Sequence, residues 1–222
     1  RFLDIGRKAL RDISERDATA IVVGGTGQYI WGLAEGWQAP TVPPNHAIRE
    51  RLESEALELG EQILHERLQT IDPESAMLID PRNVRRLIRA LEVIEMTGRT
   101  FSAQRTKTAP AFEVRMLALT HSQADLYDRI DARVDAMISA GWVREVESLL
   151  AAGNRPDIPA FSSAGYREIA LFLDGKISLE EAVAKAKIAT HRLARSQRNW
   201  FRASDTRIAW HQSIEELVGG VI

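Results

Sequence analysis

The chain has 222 residues, 45% of them hydrophobic and 27% charged, with a formal net charge of −2 and no cysteine. That length suits one large domain or two small ones, and the lack of cysteine excludes disulfides and thiolate metal sites and fits a cytoplasmic protein. Bulk charge forces no polyanionic partner, so nucleic-acid binding has to come from a local basic patch; no apolar run approaches the ~18 to 20 residues of a membrane span.

Arg1 is not an initiator methionine, and "RFLDIGRKALRDI" already reads as a helix with Phe2, Ile5, Ala9 and Ile13 on one face. A helix with no leading cap leads us to expect a chain without its N-terminal part. Next, the apolar run Ala20–Val23 meets the glycine turn Gly24-Gly25-Thr26-Gly27 and then a helix-like segment. Strand, glycine turn and helix form the usual cradle for phosphate, because free N–H groups and the helix dipole point at an anion. Yet no lysine follows, so the turn matches neither G-x-x-x-x-G-K-[ST] nor G-x-G-x-x-G.

A proline-rich connection, "QAPTVPPN", leads into a block that is helical from Asn45 to Arg105, with breaks at Gly60, "DPES", "DPRN" and Gly98. Asp72-Pro73 and Asp80-Pro81 read as N-cap and first-turn pairs. "FEVRMLALT" (Phe112 to Thr120) returns to strand character. A long helical run follows, with Leu126, Ile130, Val134 and Met137 as its apolar stripe and Gly141 and Gly153 as punctuation. A helix from Ser178 to Arg202 and a final strand in "TRIAWH" complete the order. The expected organisation is an α/β core segment over residues 1–42, an inserted helical subdomain over 43–110, and the remainder of the core over 111–222.

Two basic stripes stand out. On the Ser178–Arg202 helix, Lys187, His191, Arg195, Arg198 and Arg202 fall within about 80° of each other at about 100° per residue. Ala182, Ala186, Ala189, Leu193 and Trp200 lie opposite, and no acidic residue occurs between Ala182 and Ser204. One-signed charge over such a length repels itself unless something negative covers it, so a nucleic-acid phosphate rail competes with a merely solvated face. In "DPRNVRRLIRALEVIE", Arg82, Arg85, Arg86 and Arg89 form a second stripe near a helix N-terminus, where the dipole disfavours cations. Two such stripes on different subdomains suit a clamp around a folded RNA.

The ordered motifs "VGGTGQY", "PPNHAIRERL", "RRLIRALEVIEMTGR", "LYDRIDARVDAMISAGWVREV", "AGYREIALFLDG" and "RSQRNWFR" resemble the tRNA dimethylallyltransferase family. The resemblance implies a P-loop NTPase-like, three-layer α/β core with an inserted all-helical tRNA-binding subdomain. The implied reaction transfers a dimethylallyl group from dimethylallyl diphosphate to N6 of the adenosine 3′-adjacent to the anticodon. Implied partners are the tRNA anticodon stem-loop and dimethylallyl diphosphate, with no membrane and no obligate protein partner, in a cytoplasmic monomer. The family's phosphate-binding loop and general-base aspartate have no counterpart in these residues. Mg²⁺ would therefore be held mainly through the diphosphate and that loop, with no metal ligand in this chain, and the chain alone is expected to be inactive.

By the same resemblance, Thr26 and Arg133 take the catalytic positions, with Thr26 at the reacting centre and Arg133 facing the diphosphate. Gly24, Gly25, Gly27 and Tyr29 border the substrate channel. Contacts to tRNA are implied for Arg49 and for Arg85, Arg86, Leu87, Ile88 and Arg89. They are also implied for the turn Ser162, Ser163, Ala164, Gly165, Tyr166 and Arg167, and for Arg195, Ser196, Gln197, Arg198, Asn199, Trp200, Phe201 and Arg202. From the residues alone, Thr26 caps the following helix equally well, Arg133 serves as a surface ion-pair partner, and the Trp200 ring belongs to the core, which leaves Gln197 as the polar reader. Departures from the family pattern occur at Gln28, where leucine is usual, at Arg85, where glutamine is usual, and at Ser196 and Arg198. Two alternatives stay open: a non-catalytic tRNA-binding fragment and a P-loop small-molecule kinase.

Overall fold

The computed structural model describes residues 2–38, 40–156 and 158–219, which leaves Arg1 and the last three residues outside. The chain forms two compact units: residues 1–24 with 28–113, and residues 25–27 with 114–222. The fold is mixed α/β and predominantly helical. Among the described residues its four short strands make two separate two-stranded sheets rather than one layered sheet.

In the first unit, α1 (Phe2–Glu15) packs on α2 (Gly27–Ala34). The sequence pattern put Phe2, Ile5, Ala9 and Ile13 on one face, but of these only Ile13 is half-buried, and it shares that side with Leu3, Gly6 and Leu10. The cause is glycine: Gly6 lies against Leu33 and Gly32 against Leu3, so the backbones approach on that side. The expected strand Ala20–Val23 is not a strand, and Ile21 and Val23 are 82% and 91% exposed. β-Propensity alone does not make a strand; a neighbouring strand has to take its hydrogen bonds, and none of the described residues does so.

The helical block is joined at its base by β1 (Trp37–Gln38) and β2 (Thr106–Lys107), antiparallel with Trp37 opposite Lys107. Sequence reading had no strand at either place. Above them lie α3 (His46–Leu59), α4 (Gln62–Ile71), α5 (Pro73–Leu78) and α6 (Val84–Thr97). Helix α6 is the hub, burying Leu87, Ile88, Ala90, Leu91 and Ile94 against Leu52, Leu64, Leu68 and Ile79. Asp72 caps α5 as its spacing implied, accepting from the Ser75 amide, with Pro73 in the first turn. Asp80 does not cap α6. It accepts from the backbone and guanidinium of Arg82, and Asn83 is the cap, with Oδ1 3.2 Å from the Arg86 amide.

In the second unit, β3 (Met116–Leu119) runs parallel to β4 (Ile208–His211), with Met116 opposite Ile208. Between them run α7 (Gln123–Ser139), α8 (Trp142–Ala151), α9 (Tyr166–Leu173) and α10 (Leu179–Trp200), and α11 (Ile214–Gly219) follows. Val134, Trp142, Val146, Phe161, Ile169 and Ala186 form this unit's core. Helix α10 buries only the first part of the apolar stripe read from its sequence: Ala182 and Ala186 are at 0% and 1% exposure, whereas Leu193 is 54% exposed. Its inward face is Ala182, Ala186, Thr190, Ala194 and Gln197, the seam between the apolar and basic stripes. Small side chains there let α7 and α9 approach.

Candidate functional site

In the second unit, the turn Gly25-Thr26-Gly27 lies against the last turns of α10. A Cβ added to Gly25 would meet the Gln197 amide, and one added to Gly27 would fall inside the Trp200 indole. Glycine is required at Gly27 by space rather than by φ. Between them Thr26 is exposed, and its hydroxyl makes no hydrogen bond among the described residues, so it does not cap α2. The Trp200 ring therefore forms a wall beside Thr26; at 36% exposure it is not the core residue the apolar stripe implied. Arg133 is exposed on α7 and pairs with none of the described residues. In the first unit, Gly24 has ordinary contact with Ile30, and Tyr29 stacks on Phe2 at 3.9 Å between ring centroids.

Four members of the basic stripe, Lys187, His191, Arg195 and Arg198, meet side chains of α7. Lys187 Nζ lies 2.8 Å from Asp135, and His191 Nε2 lies 2.9 Å from Asp131 Oδ1 without the alignment of a hydrogen bond. Tyr127 stacks on His191 at 4.0 Å and accepts from Arg195 at 3.2 Å, and Gln123 accepts from Arg198 at 3.2 Å. Residues 123, 127, 131 and 135 recur every fourth position, and they meet 198, 195, 191 and 187 in reverse order: an antiparallel zipper. The acidic residues missing from α10 itself sit on its neighbour. Arg192 and Arg202 remain exposed and without a side-chain partner among the described residues.

The first unit treats its arginines differently. Glu92 is wholly buried. It accepts from Arg49 Nε at 2.8 Å and Nη2 at 2.9 Å, from Arg89 Nη1 at 2.6 Å, and from the Asn45 amide at 2.7 Å. Burial alone would push its carboxyl up; the hydrogen bonds from Arg49, Arg89 and the Asn45 amide outweigh burial and hold it down at about 2. Arg89 also donates to Val42 O at 2.8 Å, which ties the proline-rich connection to α6. Arg82 pairs with Asp80 outside the helix. Of this stripe only Arg85 and Arg86 are exposed with side chains unpartnered among the described residues. Leu87 and Ile88, grouped with them by resemblance, are core residues at 0% and 4% exposure, so their side chains are not available to RNA. Sequence reading missed Glu92; it found Asp72 as a cap but not as a second buried carboxylate, which takes Ser75 Oγ at 2.6 Å and the Ser102 amide at 2.8 Å.

The turn before α9 is built on Gly165, whose φ of 93° and contact with the Trp142 ring exclude a side chain. Tyr166 packs edge-on against Trp142 and Phe161 and donates to Glu145 at 2.6 Å, a bond that raises its phenol above the ordinary value. This ring belongs to the core edge. Ser162, Ser163 and Arg167 are exposed, and Arg167 has no partner among the described residues.

No group of three or more His, Asp or Glu side chains among the described residues is arranged to hold a metal ion. Among them, no helix is long and apolar enough to cross a membrane. Residues 1–204 match the family model for IPP transferase. The chain belongs to the IPP transferase family. A tRNA dimethylallyltransferase of Roseiflexus sp. (strain RS-1) is 46% identical over 201 residues, 90% of this chain and 66% of that protein. One from Thermomicrobium roseum is 43% identical over 219 residues, 96% of this chain and 67% of that protein. The chain thus spans about two thirds of the length of these relatives. The full-length tRNA isopentenylpyrophosphate transferase of Bacillus halodurans has the same fold at 32% identity and a TM-score of 0.65, over 99% of this chain and 70% of that one. A eukaryotic dimethylallyltransferase acting on tRNA shares the fold at 23% identity and a TM-score of 0.72.

Proposed function

We propose that this chain is the RNA-handling part of a tRNA dimethylallyltransferase of P-loop-like ancestry, a cytoplasmic monomer. The reaction moves a dimethylallyl group from its diphosphate to N6 of the adenosine 3′-adjacent to the anticodon. The observation that carries the reading is the Gly25-Thr26-Gly27 turn, closed against Gln197 and Trp200 with the Thr26 hydroxyl free and exposed.

Adenine N6 is a weak nucleophile, and a stacked base hides it, so the base is extruded before reaction. N6 then forms a bond to the allylic carbon, the carbon–oxygen bond to diphosphate breaks with its electron pair, and N6 loses a proton. In this reading the Thr26 hydroxyl hydrogen-bonds at the reacting centre and Arg133 meets the charge that develops on the diphosphate. Gln197 reads a base edge, and the Trp200 ring gives an apolar wall. Arg85, Arg86, Arg167, Arg192 and Arg202 contact phosphates. Bound Mg²⁺ would help neutralise charge on the leaving diphosphate, and no step here depends on it. The 222 residues contain no G-x-x-x-x-G-K-[ST] loop, and no residue assigned here takes the part of its lysine.

Incubating the chain with labelled dimethylallyl diphosphate and tRNA tests both halves. RNA binding without label transfer is the expected result. Transfer by these residues alone would contradict the division of labour. Nucleoside-triphosphate binding with no RNA binding would favour a small-molecule kinase instead.

A further inference from the structure

We propose that Glu92 is a positioning residue, which fixes Arg49 and Arg89 as one rigid pair of guanidinium groups that receives an RNA phosphate. The proposal rests on the reading of this chain as an RNA binder and assigns Glu92 a part in it.

The geometry comes first. Both oxygens of the carboxylate are fully used: Oε1 by the Asn45 amide and Arg49 Nε, Oε2 by Arg49 Nη2 and Arg89 Nη1. Arg49 is held in the bidentate fork that fixes a guanidinium in plane as well as in place. Arg89 is held from two sides, by Glu92 and by the Val42 carbonyl. Neither side chain is left to choose among rotamers.

Charge comes second. Two cations surround one buried anion, so the cluster carries a surplus of one positive charge. A half-buried surplus is unfavourable unless an anion meets it. Among the described residues Glu53 adds only a weaker pull on Arg49. Anchoring the proline-rich connection accounts for Arg89 and for the Asn45 amide; it does not account for Arg49 as a second cation. The side chains of Arg49 and Arg89 keep 35% and 30% of their surface exposed. Arg49 Nη1 and Arg89 Nε form no bond to any described residue, so N–H groups of both remain for a ligand. A phosphate fits that demand: singly or doubly negative, and rich in acceptors.

The test uses the whole 222-residue chain, an anticodon stem-loop RNA and fluorescence anisotropy across a salt series, at a temperature where circular dichroism shows each variant folded. Glu92→Gln gives opposite signs under the two accounts. If Glu92 is only a nearby negative charge, its removal tightens RNA binding. If it positions the arginines, binding weakens about tenfold, and the slope of log affinity against log salt falls by about 0.7 to 0.9 for each phosphate no longer neutralised. Arg49→Lys is the second variant: it keeps the charge and loses the fork, and several-fold weaker binding is expected. Asp72→Asn is the control, a buried carboxylate whose partners are Ser75 and Ser102; stability falls and RNA affinity stays unchanged. Unchanged or tighter binding by folded Glu92→Gln overturns the proposal. If that variant does not fold, unchanged binding by Arg49→Lys overturns it. Equal loss in Asp72→Asn shows a general structural effect and overturns it too. A wild-type chain that binds no RNA removes the RNA reading and this proposal together, an outcome distinct from all of these.

Discussion

The two units each neutralise a row of cations, and they do so in opposite ways. In the first, one buried carboxylate takes two arginines and a backbone amide through aligned hydrogen bonds. In the second, four separate residues of α7 meet four residues of α10 along an antiparallel seam, and two of those partners, Tyr127 and Gln123, carry no charge. Arginines that share a stripe in the sequence therefore have different duties. Burial decides which interaction is structurally indispensable, and exposure decides which cation is free to meet a ligand.

The comparison is broken most severely at Glu92. Glu92→Leu leaves two half-buried guanidinium groups uncompensated, and a loss of about 3 to 5 kcal/mol is expected for the first unit in urea denaturation. Acid acts at the same place. The Glu92 carboxyl lies near 2 in the fold against an ordinary 4.5, a depressed value, so its contribution is present above about pH 4.5 and is lost as pH falls towards 2. Stability of that unit should drop by about 3 kcal/mol over this range, less whatever Arg exposure screens. Next in size is Gly27→Ala, whose Cβ would enter the Trp200 ring, backed by helix; about 1 to 3 kcal/mol of destabilisation is expected. Gly25→Ala meets only the movable amide of Gln197 and should cost less. The zipper is the weakest link: Asp135→Asn should cost under about 1 kcal/mol, and added salt should erase the difference, whereas the effect of Glu92→Leu should survive salt.

The helices were largely legible in the sequence. Apolar period placed α10 within a residue or two of its observed ends, Gly98 marked the end of α6, and Asp72-Pro73 marked the start of α5, whereas Asp80-Pro81 set the start of α6 too early. Strands were harder. The run Ala20–Val23 has the right composition and lacks a neighbour, whereas Trp37–Gln38 and Thr106–Lys107 pair across a long separation that no local pattern announces. The stripes were visible as charge but not as partnership. The repeat Gln123, Tyr127, Asp131, Asp135 was a usable signal, since acidic residues at helical spacing on one element answer basic ones on another. Glu92 carried none: a lone glutamate within an apolar helix reads as a surface position until burial shows otherwise. The apolar face of α10 was read correctly at Ala182 and Ala186, which are buried, and wrongly at Leu193 and Trp200, because small side chains, not large ones, set where helices meet.

The central claim is that the exposed cations of this fold meet RNA. Equilibrium binding of an anticodon stem-loop to the chain at increasing salt tests it most directly, with Arg85→Ala and Arg86→Ala alongside. The account predicts a steep linear fall of log affinity with log salt, and a slope smaller by about 0.7 to 0.9 for each arginine removed, with no change in stability. Binding that is absent, or that ignores salt and both substitutions, would contradict it.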